Sequence, residues 1–132
     1  MTPMTIQELT ATPEFQDLLK SEIAKQAPSE FKFEFHKGDI RTANTGEFLI
    51  DDDLKTELAE VEKNIHSGSF TGTGTFEGNY IDSGNDSEHY PQTLDGKLRG
   101  SATLKLQNSL FLPSASDILS GATLDVEVDE WP

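Results

Sequence analysis

The sequence predicts an α+β fold: an antiparallel β-sheet with a long glycine-rich hairpin, packed by two helices from the N-terminal half. Three observations carry this prediction. Phe15, Leu18, Leu19 and Ile23 recur at helical spacing behind a clear start signal. Leu54, Leu58, Val61 and Ile65 form a second seam at i, i+4, i+7 and i+11. Residues 70–80 and 94–106 alternate strictly between inward-type and polar side chains.

The elements follow in order. Thr5-Ile6-Gln7-Glu8 has the spacing of a capping box, in which the Thr oxygen and the Glu carboxylate satisfy orphan amides. Thr12-Pro13 is a second start signal, with proline at the first helical position. The chain should make a short turn or helix and then a main helix of about 14 residues, ended by Pro28. Phe31, Phe33 and Phe35 alternate with Lys32, Glu34 and His36, as in a half-buried strand. Lys37-Gly38-Asp39 and Asn44-Thr45-Gly46 read as turns around a short strand at 40–43. Asp51, Asp52 and Asp53 should cap the second helix and complement its positive N-terminus, with Ser67-Gly68 closing it.

In the hairpin, the even positions from 70 to 80 are Phe, Gly, Gly, Phe, Gly and Tyr. Seven of the ten glycines fall between 68 and 100, which leaves room for aromatic rings and lets the strands bend. A polar loop at 82–92 joins the two strands. After a connection at 109–113, residues 114–119 suggest a helical turn. Ala122, Leu124, Val126 and Val128 then alternate with Thr123, Asp125, Glu127 and Asp129, predicting a C-terminal strand with one acidic face. No linker or repeat divides the chain, so residues 1–132 read as one domain.

Composition excludes several classes. The chain has 24 Asp and Glu against 10 Lys and Arg, a net charge of −14. That argues against direct binding to nucleic acid or an anionic membrane, both of which need positive surface. The absence of cysteine removes disulfides, thiol nucleophiles and Cys-ligated metals. No apolar run approaches the roughly 20 residues of a membrane span. The N-terminus shows no basic segment followed by an apolar stretch, and a cytoplasmic location is expected.

No motif supplies chemistry. The run 72–78 has glycines but no Lys-Ser/Thr pair, so it is not a phosphate loop. Counting from Asp82, an EF-hand would want Gly and Glu where Ser87 and Thr93 stand. His36, His66 and His89 show no two-ligand spacing. No catalytic residue, metal or cofactor is expected, and the chain reads as a non-enzyme.

The acids are informative through their distribution. The net charge is −3 over 1–36, −4 over 37–66 and −7 over 67–132, so the excess is not a detachable tail. Asp53, Glu57 and Glu60 would share one face of the second helix. Asp125, Glu127 and Asp129 would repeat about every 6.8 Å along the last strand. Such rows imitate a phosphate array, though more sparsely, and attract a protein whose basic groove holds nucleic acid. The expected partner is therefore a basic, nucleic-acid-handling enzyme or toxin. Size and charge are analogous to those of small inhibitors of restriction or CRISPR machinery and of nuclease-immunity proteins. The expected contact residues are Asp51, Asp52, Asp53, Glu57, Glu60, Asp125, Glu127, Asp129 and Glu130. Tyr80, Tyr90 and Trp131 are the expected aromatic anchors. Two alternatives stand beside this one. The first is a small-molecule-binding or catalytic domain with the 82–92 loop over a pocket holding Glu88 or His89. The second is an accessory protein that assembles through an exposed strand edge.

Overall fold

The first helix begins where its capping box predicts. Glu8 N–H donates to the Thr5 hydroxyl and Thr5 N–H donates back to the Glu8 carboxylate. Helix α1 (Ile6–Thr10) leads directly into α2 (Pro13–Lys25), whose N-cap is Thr12. A computed structural model describes residues 4–82, 88–108, 110–111 and 113–132. Within them the strands are β1 (Glu30–His36), β2 (Asp39–Ile50), β3 (Lys55–Glu62), β4 (Ile65–Asp82), β5 (Glu88–Lys105) and β6 (Thr123–Glu130). A short α3 (Ala115–Leu119) precedes β6. The fold is α+β: a mostly antiparallel sheet with three short helices.

The second predicted helix is absent. Residues 55–62 form β3, paired antiparallel with the first part of β4. The seam was ambiguous because a spacing of four fits a strand as well as a helix. Leu54 and Leu58 are buried under either reading, but Val61, the residue that favoured a helix, is 61% exposed. Pairing with β4 satisfies a continuous ladder of backbone groups, and this outweighs local helix preference. The chain reverses at Lys63-Asn64, where Asn64 adopts φ 65°, the left-handed conformation that tight hairpins require. Asn44-Thr45-Gly46 is likewise not a turn. It lies inside β2 as a bulge, where the register shifts between Thr45 and Glu47.

Strands β2 and β3 run in the same direction along one side of β4. β2 pairs with residues 74–79 and β3 with residues 65–71. They behave as one long strand interrupted at 51–54, and the strand path β1-β2-β4-β5-β6 has β1 and β6 at its ends, with β3 a further edge that pairs with β4 alone among the described residues. β4 and β5 pair antiparallel from Ile65↔Lys105 to Asp82↔Glu88.

The even residues of β4 from His66 to Tyr80 and of β5 from Tyr90 to Leu104 face inward. One core lies under the helices: Leu9, Phe15, Leu19 and Ile23 meet Leu58, Phe70, Leu98, Leu104 and Leu124, with Ile118 from α3. The other core is aromatic, built from Phe31, Phe33, Phe76 and Tyr80 around Ala43. Phe48 and Trp131 pack against both. Glycine makes the close packing feasible. A Cβ on Gly100 would lie 2.2 Å from the Glu127 carbonyl oxygen and 2.7 Å from the Phe70 ring. A Cβ on Gly74 would lie 2.8 Å from the Phe48 ring.

Candidate protein-docking face

The outer face of the sheet carries the odd residues of β4 and β5. Their neighbours follow from the register. Glu57 of β3 lies opposite Ser69, which lies opposite Ser101, which lies opposite Glu127 of β6. With neighbouring strands about 4.8 Å apart, Glu57 and Glu127 frame a small-residue floor about 14 Å wide. Asp125, Glu127 and Asp129 are all exposed along β6. The acidic face predicted for the last strand is held by the β5–β6 ladder at Asp125 and Glu127 and is interrupted by a bulge at Asp129.

Asp125 and the adjoining Glu130 have partners within the protein. Lys105 Nζ is 3.9 Å from Asp125, and Arg99 is 3.4 Å from Glu130. Glu57, Glu127 and Asp129 have no cation within 4.0 Å among the described residues. Asp129 sits in the bulge between the pairs Gly100↔Val128 and Arg99↔Glu130.

The aspartate triad has a structural task instead of a helix cap. Asp51 N–H donates to the Thr73 carbonyl at 3.0 Å, extending the β2 ladder by one step. Thr73 N–H, left without a strand partner at the interruption, donates to Asp53 Oδ1 at 3.0 Å. The Thr73 hydroxyl lies 2.5 Å from Asp51 Oδ2 and 3.0 Å from Asp53 Oδ2. Asp52 pairs with Lys20 of α2 at 2.6 Å, and that hydrogen bond holds its carboxyl below the ordinary value of 3.8. The triad thus ties β2, β3 and α2 together at the point where β4 changes partners.

Glu57 and Glu60 do not share a face. Glu57 points outward, whereas Glu60 lies opposite His66 on the inner side. Its carboxylate is 3.7 Å from His66 Nε2, and Nδ1 of this buried imidazole finds no hydrogen-bond partner among the described residues. The row expected from a helix is dissolved by strand geometry.

The three aromatics are packing residues. Tyr80 is only 9% exposed, and its hydroxyl accepts a hydrogen bond from Arg41 at 2.7 Å. Tyr90 stacks on Tyr80 at 6.1 Å and meets Phe35 edge-on at 5.9 Å. Trp131 packs edge-on against Phe48 at 5.4 Å and lies 6.0 Å from Phe76. Arg41 closes this cluster from the side, lying 5.5 Å from the Phe35 ring centre and 5.7 Å from that of Tyr80. Its fork grips both oxygens of Asp39 at 2.9 and 2.8 Å. That hydrogen bonding raises the Arg41 pKa above its ordinary value and lowers that of Asp39 below 3.8.

A feature not singled out from the sequence also lies on the outer face. An open depression of about 640 Å³ is lined by Lys55, Lys97, Arg99, Thr73, Asp53 and Glu130. Alternate positions of β5 supply two of its cations, a signal present in the pattern Lys97, Arg99 and Lys105. The acids of β6 therefore border a basic band.

Residues 83–87 lie outside the described residues, so a pocket beneath the 82–92 loop receives no structural account. Among the described residues, no helix is long and apolar enough to cross a membrane. Searches against family models, curated proteins and solved structures find no match. The reading of this face rests on its own chemistry.

Proposed function

We propose that the chain is a non-enzymatic inhibitor that docks, in the cytoplasm, on the basic surface of a nucleic-acid-handling protein. One observation carries this reading: Asp125 and Glu127 are exposed on the outer face of a strand held in place by the β5–β6 ladder, and Asp129 is exposed in the bulge that follows them. The spacing of Asp125 and Glu127, about 6.8 Å, equals every second phosphate of a nucleic-acid strand, at about 3.4 Å each. Glu57 adds a carboxylate across the small-residue floor. Carboxylates held on a sheet lose little entropy on binding, and the surrounding charge of −14 steers a cationic partner toward them. The docking residues narrow from the expected set to Glu57, Asp125, Glu127 and Asp129, with Glu130 at the margin. Asp51, Asp52, Asp53 and Glu60 are engaged within the fold.

The test is affinity purification from a host extract with the wild type and with the fourfold variant E57Q/D125N/E127Q/D129N. The expected result is a basic protein retained by the wild type at low salt. Heparin should displace it, and the variant should fail to retain it although it melts like the wild type. If every retained protein binds both forms equally and resists salt, the electrostatic docking face is wrong.

A further inference from the structure

The two ends of the sheet are guarded differently. β6 presents Asp125, Glu127 and Asp129 outward, so self-pairing at that edge sets carboxylate against carboxylate. Gln26, the C-cap of α2, also donates its side-chain amide to the Val126 carbonyl of this strand. β1, at the opposite end of the strand path, pairs only with β2 among the described residues. Its outward residues, Glu30, Lys32, Glu34 and His36, are all exposed and alternate in sign from Glu30 to Glu34.

We propose that β1 pairs antiparallel with β1 of a second copy, centred on Phe33, so that two sheets join into one. The backbone limits which registers are available. Thr45 N–H donates to the Ser29 carbonyl at 2.8 Å, and Phe31 and Phe33 continue the same register opposite Ala43 and Arg41. The odd residues of β1 therefore turn their peptide groups toward β2, and Glu30, Lys32 and Glu34 turn theirs toward the open edge. An added antiparallel strand must match even residues with even residues.

Three such symmetric registers keep most of the strand paired, and charge separates them. Centring on Lys32 sets Lys32 against its own copy and Glu30 against the partner's Glu34. Centring on Glu34 sets Glu34 against its own copy. Centring on Phe33 sets Lys32 against the partner's Glu34, twice, by symmetry. Opposite charges directly across a ladder stabilise it and like charges oppose it. The same register brings Phe33 against the partner's Phe33 and Phe31 against the partner's Phe35. These inner-face rings belong to or pack against the aromatic core of each copy, so the two cores become continuous. The contact is isologous and closes at two copies. It leaves both β6 edges at the far ends of the joined sheet, so it is independent of the docking reading above.

The experiment is sedimentation equilibrium of the full chain at about 0.15 M salt. The wild type is expected to dimerise. Lys32→Glu and Glu34→Lys should each weaken the dimer about thirtyfold, from two ladder pairs turned repulsive. The double variant K32E/E34K should restore it. The natural chain has no cysteine, so a mixture of Lys32→Cys and Glu34→Cys proteins should oxidise to a covalent dimer, whereas Lys32→Cys alone should not. Circular dichroism establishes that each variant is folded. The proposal is overturned by any one of three results: a wild type that stays monomeric up to about 1 mM, a dimer indifferent to both single reversals, or a folded double variant that remains monomeric.

Discussion

Gly100→Ala adds one methyl group at the point where β5, β6 and the helix-covered core meet. The new Cβ would stand 2.2 Å from the Glu127 carbonyl oxygen and 2.7 Å from Phe70 Cζ, where ordinary contact begins at 3.4 Å. The carbonyl must retreat by about 1.2 Å and the ring by about 0.7 Å, yet Phe70 is fully buried. Overpacking of this kind costs about 3 kcal/mol at its upper range. A weakened ladder bond adds about 1 kcal/mol. Reduced freedom of the unfolded chain returns about 0.7 kcal/mol. The net loss of about 3 kcal/mol corresponds to a fall in Tm of about 10 °C for a chain of this size. Gly96→Ala is the matched control. It makes the same change on the same strand and inner side, but its Cβ would meet Pro132 only at 3.4 Å or beyond. It should melt within about 2 °C of the wild type. The assay is a thermal melt followed by near-ultraviolet circular dichroism. If the two variants melted alike, the close approach of β6 and Phe70 to Gly100 would be refuted.

Further outcomes follow from the cores and the ion pairs. Phe76→Ala removes a ring that is 1% exposed and stacked 4.4 Å from Phe48 and 5.6 Å from Phe31. It should cost about 4 kcal/mol, and Trp131 emission should shift to the red as its packing opens. His66→Leu replaces a buried imidazole whose Nδ1 lacks a hydrogen-bond partner among the described residues and should stabilise the fold by about 1 kcal/mol, read from urea midpoints. Asp39 and Asp52 are held below 3.8 in the folded protein by hydrogen bonds from Arg41 and Lys20. Their contribution is complete above the unfolded-state value and is lost as pH falls through the lower folded-state values. The variant D39N/D52N should therefore lose less of its Tm than the wild type between about pH 5 and about pH 2.

The coarse class and several boundaries were legible because local chemistry specified them. Thr5 and Glu8 cap α1, Thr12 and Pro13 start α2, and the alternation around Leu124 places β6. The region 51–67 was misread for a physical reason. Two buried leucines four residues apart satisfy both periodicities, and the deciding partner, β4, lies beyond a hairpin closed by Lys63-Asn64 with no glycine to mark it. Asp125 and Glu127 of the acidic row could be read from sequence because period two survives folding there, whereas the bulge at Asp129 could not. The Asp53, Glu57 and Glu60 row could not, since its geometry depended on the wrong element. The packing of the aromatics was hidden for a related reason. Composition shows that Tyr80, Tyr90 and Trp131 can bind a partner, but only the fold shows that they are engaged with Phe35, Phe48, Phe76 and each other.

The tie at Thr73 has a mechanical consequence. Two half-sheets share the continuous β4–β5 ribbon, and the angle between them is set where a hydroxyl and neighbouring carboxylates splice β2 to β3. Polar substitutions at that splice would re-aim one half against the other while leaving the hydrocarbon interiors intact. The molecule therefore carries a site at which its curvature can be tuned without rebuilding what holds it folded.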